Sequence, residues 1–153
     1  GASREAVNRS ISGFDVNVTF NPDYQNDDML TSLKIGMKQL SDRVEAMMVV
    51  LGDQPQVEPE TIQQIVMIHQ QNPGQIIIPS YRDRRGHPWL IDRKFWSAIR
   101  ALQGDKTLRD FINEHQESIE YLEINDPSIL KDIDTPEDYQ NEKELNDIST
   151  RQP

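Results

Sequence analysis

The run Ala46-Met47-Met48-Val49-Val50-Leu51-Gly52-Asp53 decides how this chain is read. Its first six residues are all apolar, with charge before them and a Gly-Asp breaker after. A short continuous apolar run of this kind reads as a strand covered on both faces, the central position in a parallel sheet. Working outward, Ile76-Ile77-Ile78 is a second buried strand and Tyr121-Leu122-Glu123-Ile124 a late one. Toward the start, Val16, Val18 and Phe20 alternate with Asn17 and Thr19, which predicts a strand ending at the turn signal Asn21-Pro22-Asp23.

Helical patterns fill the intervals. Ser3 caps an opening helix, and Asp27 or Asp28 caps one whose stripe is Leu30, Leu33, Met37 and Leu40. Pro59 suits the first turn of a helix turning Ile62, Ile65, Val66 and His69 inward, stopped by Asn72-Pro73-Gly74. A polar loop, residues 80–88, leads to Trp89-Leu90-Ile91 and a helix with Phe95, Trp96, Ile99 and Leu102 on one side. Thr107 caps a short helix through His115, and Thr135-Pro136-Glu137-Asp138 combines a capping Thr, Pro at the first position and an acid three residues after the cap. Strands alternating with helices predict one three-layer α/β domain over residues 1–140, followed by a polar tail, 141–153, that frays.

Bulk composition narrows the function. With 153 residues, 35% of them hydrophobic, one domain with a concentrated core is expected. Sixteen basic against 26 acidic residues give a net charge of -10, which opposes a broad nucleic-acid surface. A phosphate-bearing ligand must then be handled locally, by a metal ion or a small basic loop. No cysteine is present, which removes thiol catalysis and cysteine-held zinc and suits a reducing, cytoplasmic setting. The run at 46–51 is too short to span a bilayer.

Three groups of residues can carry chemistry. Asp53 stands just beyond the strand at 46–51, where open α/β sheets bind ligands, and a lone rigid carboxylate there suits Mg²⁺ with its waters and substrate phosphates. From position alone it can equally cap the turn. Asp132 and Asp134 face the same way on an extended segment, either completing a metal site with Asp53 or stabilising the helix start that follows. Arg82-Asp83-Arg84-Arg85-Gly86-His87-Pro88 is the one cationic cluster, either an anion site or a solvated loop among acids. His69 and His115 lack acids at metal spacing and read as structural.

Leu51-Gly52-Asp53-Gln54-Pro55, Arg84-Arg85-Gly86-His87-Pro88, Leu102-Gln103-Gly104-Asp105 and Asp132-Ile133-Asp134-Thr135-Pro136-Glu137-Asp138 follow one another as in molybdenum cofactor cytidylyltransferases, which this chain resembles from Gly1 to about Tyr139. Asn21-Pro22-Asp23 and Met29-Leu30-Thr31-Ser32-Leu33 resemble that family's segment beside the nucleotide base. The resemblance implies a Rossmann-like nucleotidyltransferase fold in which Mg²⁺ joins a nucleoside triphosphate, CTP or GTP, to the phosphate of a molybdopterin-type acceptor. It assigns Asp53 and Asp134 (Asp132 as the substitute) to the metal, Thr31, Ser32 and Leu33 to the nucleotide, and Arg85, Gly86, His87 and Pro88 to the acceptor. No residue is needed as a nucleophile. A molybdoenzyme or a second copy of the chain is the expected partner.

The sequence also departs from that family. Its glycine-rich loop, with an Arg and a Lys for the triphosphate, has no match, so a missing piece of about two βα units, on the order of 60 residues, is expected, and without it no transfer by this chain alone. Asp28 stands where relatives carry Gly. A non-catalytic cofactor-binding or chaperone-like module and a cytidylyltransferase of isoprenoid precursor synthesis are the alternatives.

Overall fold

The apolar run at 46–51 forms a margin of the sheet rather than its centre. In a computed structural model, which describes residues 3–25 and 29–149, the last five by backbone alone, strand β1 spans Ala46–Val49. Its partner is β4 (Trp89–Asp92), antiparallel, with Val49 opposite Trp89. On the other side β4 pairs antiparallel with β2 (Ile76–Tyr81). That strand also carries β5 (Ile119–Glu123) in parallel and the two-residue β3 (Arg84–Arg85) as a hairpin. The order is β1-β4-β2-β3 with β5 on β2, so β2 is the centre, and its Ile76, Ile77 and Ile78 are fully buried.

Two expectations about β1 are thereby corrected. Its partner runs antiparallel, and its burial alternates, Met47 and Val49 inside and Ala46 and Met48 half-covered. An apolar run reports burial but says nothing of which strand lies beside it, so edge and centre read alike. The strand also stops early: Val50 is 60% exposed, and Val50, Leu51 and Gly52 separate the ladder from Asp53. Because β4 opposes both β1 and β2, the carboxyl ends of β1, β2 and β5 all lie along one edge of the sheet.

Helix α3 (Pro59–Gln71) packs on β2 and β4, and Ile65, Ile77 and Leu90 form the core there with Met48, Ile68 and Leu122 around them. The inward residues are Thr61, Ile65 and His69, one per turn; Ile65 and His69 are buried as expected and Ile62 is half-buried, but Val66 is exposed and Thr61 takes the remaining inward place. His69 Nε2 lies 2.9 Å from Asp92 Oδ2, and Asp92 also accepts from the backbone N–H of Gly74 and of Lys94. That carboxylate joins the end of α3, the following turn and β4.

Contacts divide the chain into two compact units, Gly1–Val44 with Phe95–Gln116, and Glu45–Lys94 with Glu117–Pro153. The sheet and α3 belong to the second. The first holds α1 (Arg4–Ser10), α2 (Met29–Met37), α4 (Trp96–Ala101) and α5 (Leu108–Glu114). Met37, Trp96, Ile99, Phe111 and Ile112 are buried in it, with Phe111 edge-on to Phe95 and stacked on His115. Thr107 caps α5 as expected, and Asp110 completes a capping box with it. Ser3 occupies the N-cap of α1 without a side-chain bond, and Asp27 and Asp28 lie outside the described residues.

The strand expected at 16–20 does not form. No described strand pairs with this stretch, so its alternation has no ladder, and Val16, Val18 and Phe20 are exposed, Phe20 beneath the Arg4 guanidinium. In the second unit α6 (Pro136–Ser149) begins at the expected cap and continues to Ser149, into the stretch read as a fraying tail. No described helix is long and apolar enough to cross a membrane.

Candidate active site

At the carboxyl edge of β1 the turn carrying Asp53 is tied to the segment carrying Asp132 and Asp134. Ile133 N donates to Asp53 O at 2.8 Å, which sets the two acid-bearing backbones side by side. Gln54, only 5% exposed, donates through Nε2 to Asp132 Oδ1 at 2.7 Å. Gln56 Nε2 reaches the carbonyls of Ser128 and Lys131, so successive amides clamp one segment to the other. Ile133 is half-buried while Asp53, Asp132 and Asp134 are exposed. Two-residue alternation therefore turns both acids outward, as expected.

The donor set limits what this edge can hold. Among the described residues no group of three or more His, Asp or Glu gathers as a metal-holding cluster. Carboxylates in pairs fit a hard divalent cation that completes its shell with water and substrate phosphate. Gln54 Oε1 and Gln56 Oε1 are buried beside this turn with no hydrogen-bond partner, acceptors for a further donor. Asp138 is already committed: the Thr135 hydroxyl and backbone N–H hold its carboxyl below the usual range as the cap of α6.

Arg82 and Asp83 make the tight turn between β2 and β3, both with positive φ, at 50° and 61°. Beyond it the backbone turns into the protein. Gly86 is buried, and a Cβ there would lie 2.6 Å from Cγ1 and from the carbonyl oxygen of Ile129. His87 N donates to that same carbonyl, the His87 ring stacks on Trp89 at 4.4 Å, and Trp89 Nε1 donates back to Gly86 O. The close approach that glycine permits is thus to Ile129, whereas Arg85 stays exposed, its guanidinium 5.3 Å from the Tyr121 ring centroid.

Arg85 opens onto a cleft of about 410 Å³ that it lines with Ser80, Asp83, Tyr121 and Glu123. Ser80 Oγ donates to one oxygen of Glu123 at 2.7 Å and Arg82 N to the other at 2.9 Å. Sequence reading passed over Ser80, Tyr121 and Glu123. The signal that finds Ser80 and Glu123 is their place at the carboxyl ends of the parallel strands β2 and β5, the rule that singled out Asp53, and Tyr121 stands two residues before Glu123 on the same strand.

Thr31, Ser32 and Leu33 lie on α2 of the first unit, and the turn expected to accompany them is bound to that helix. Asn21 is buried; its Oδ1 accepts from Asp23 N and its Nδ2 donates to Ser32 Oγ at 3.1 Å. His115 Nδ1 lies 2.9 Å from Phe111 O within its own helix turn, and His69 faces Asp92, both structural positions.

Known structures share this architecture. Rv0371c of Mycobacterium tuberculosis superposes with a TM-score of 0.77 at 25% identity, over 94% of this chain and 72% of that one. Its manganese complex matches at 0.74 and 27% identity, over 92% and 73%. A nucleotidyl transferase from Methanothermobacter, Mth528, matches at 0.74 over 95% and 69%, and at 20% identity it speaks for the fold alone. No curated protein matches the chain. The mixed α/β sheet is therefore a Rossmann-like nucleotidyltransferase fold. Residues 2–119, which include Asp53, the basic loop and the Asn21-to-Ser32 contact, match the family model for a MobA-like NTP transferase domain, and to that family this chain belongs.

Proposed function

We propose that this transferase moves a nucleoside monophosphate, CMP in preference to GMP, from its triphosphate to the phosphate of a molybdopterin-type acceptor. The observation that carries the reading is the bond from Ile133 N to Asp53 O, which sets Asp53 and the Asp132–Asp134 segment on one edge. Asp53 and Asp134 hold a divalent cation, Mg²⁺ or Mn²⁺, and Asp132, whose Oδ1 already takes the Gln54 amide, acts as a brace. The manganese found in Rv0371c supports a divalent ion in this fold. When bound, such an ion neutralises phosphate charge and orients the reactants.

Thr31, Ser32 and Leu33 attend the base and Arg85 the acceptor, with Gly86, His87 and Pro88 fixing where Arg85 stands. An oxygen of the acceptor phosphate attacks the α-phosphorus in line, the α–β bridging P–O bond breaks, and pyrophosphate departs with that bridging oxygen. Positioning and electrostatics supply the acceleration, so no side chain forms a covalent bond. By the resemblance, turnover also needs a glycine-rich loop for the triphosphate, so binding is the first readout. Titration with Mn²⁺, followed by loss of the free-ion EPR signal, separates the roles. Asp53→Ala and Asp134→Asn lose binding while Asp132→Asn retains it; an Asp53→Ala chain that binds Mn²⁺ like the unaltered protein refutes the assignment. Turnover of molybdopterin with CTP and with GTP, measured on protein that carries such a loop, then decides the nucleotide.

A further inference from the structure

We propose that the cleft at the carboxyl ends of β2 and β5 takes the ring-bearing part of the acceptor, recognised by its hydrogen-bond donors, with Glu123 and Tyr121 as the selecting residues. The inference rests on the transferase reading above but on none of the metal assignments.

Size comes first: about 410 Å³ suits one or two fused rings. Glu123 is a prepared acceptor. Each of its oxygens already receives one bond, from Ser80 Oγ or Arg82 N, so the carboxylate is fixed before any ligand arrives. A carboxylate oxygen accepts more than one bond, so acceptor capacity remains for donors placed in the cleft. Ser80, 6% exposed, anchors that arrangement from inside the sheet. Tyr121, 44% exposed with the Arg85 guanidinium 5.3 Å from its ring centroid, brings an aromatic and a planar cationic surface to the cleft for a ring to lie on.

Charge decides what kind of group enters. The lining sets Asp83 and Glu123 against Arg85 alone, so a phosphate dianion is disfavoured here, whereas O–H and N–H donors find two carboxylates. Such donors come from a hydroxylated sugar-like ring or from an amino-substituted heterocycle; the shared chemistry is a donor-rich ring.

Amide-shift mapping of the whole chain by NMR tests this with three probes: pterin, a methyl riboside and inorganic phosphate. One ring compound should move the amides of Ser80, Tyr121 and Glu123, and phosphate should not; pterin alone assigns the heterocycle, the riboside alone the polyol. Glu123→Gln should weaken that probe about tenfold, the scale of one hydrogen bond to a charged group, and Tyr121→Thr by about threefold to tenfold, the scale of one aromatic contact. Silence with both ring compounds, or shifts with phosphate alone, overturns the proposal. Mn²⁺ binding read in the same samples keeps the failures apart: a silent cleft with Mn²⁺ bound sinks only this inference.

Discussion

Gly86 and Asp53 are both singled out by sequence, yet they answer to different physics. At Gly86 the missing side chain makes room for Ile129, whose backbone carbonyl cannot withdraw because it also accepts from His87 N. Gly86→Ala should therefore cost about 1–3 kcal/mol, the usual range for overpacking a filled interior, seen as a lower urea midpoint with unchanged slope. An unaltered midpoint would return Gly86 to a ligand-facing role. Asp53 is exposed, and its side chain has no such packing to satisfy. The residue types were legible in both cases, Asp132 among them; what was not legible was the pairing of Gly86 with Ile129, of Asp53 O with Ile133 N and of Gln54 with Asp132, each across a long stretch of chain that no local pattern bridges.

Among elements, the caps at Thr107 and Thr135 translated faithfully, the one at Ser3 did not, and neither did the pairing signals. Thr107 and Thr135 start helices where expected because a cap and its acid lie within one turn and need no distant partner. The run at 46–51 became a strand but not the central one, and 16–20 kept its alternation without a ladder, since both outcomes depend on neighbours. Asp92 shows how elements are held once placed. Burial raises its carboxyl, but bonds from Lys94 N, the His69 ring and Gly74 N outweigh that and leave it below the ordinary range. The folded chain thus binds this proton less tightly than the unfolded one, whose carboxyl titrates near about 3.9. The stabilisation is whole above that value and drains as pH falls through the lower folded one. Asp92→Asn should cost about 1–3 kcal/mol at neutral pH and decline less steeply than the unaltered protein below about pH 4. Parallel urea midpoints for the two chains across that window would contradict the role given to Asp92.

For the whole molecule, charge is the constraint that organises the rest. A chain of net charge -10 that offers Asp53, Asp132 and Asp134 at its candidate edge repels a triphosphate unless a cation stands between them. Metal and nucleotide should therefore bind as one linked event, each raising affinity for the other by the same factor. A fluorescent CTP analogue titrated in EDTA and again with Mn²⁺ measures that factor, expected to be about tenfold or more, within the usual span of such couplings. Screening predicts a second sign: added monovalent salt should improve the weak metal-free affinity, because what it screens there is repulsion. Asp53→Ala should leave the two titrations alike. If the unaltered chain binds the analogue equally well in EDTA, the nucleotide is held by contacts that owe nothing to the acidic edge, and the carboxylates there serve the fold alone.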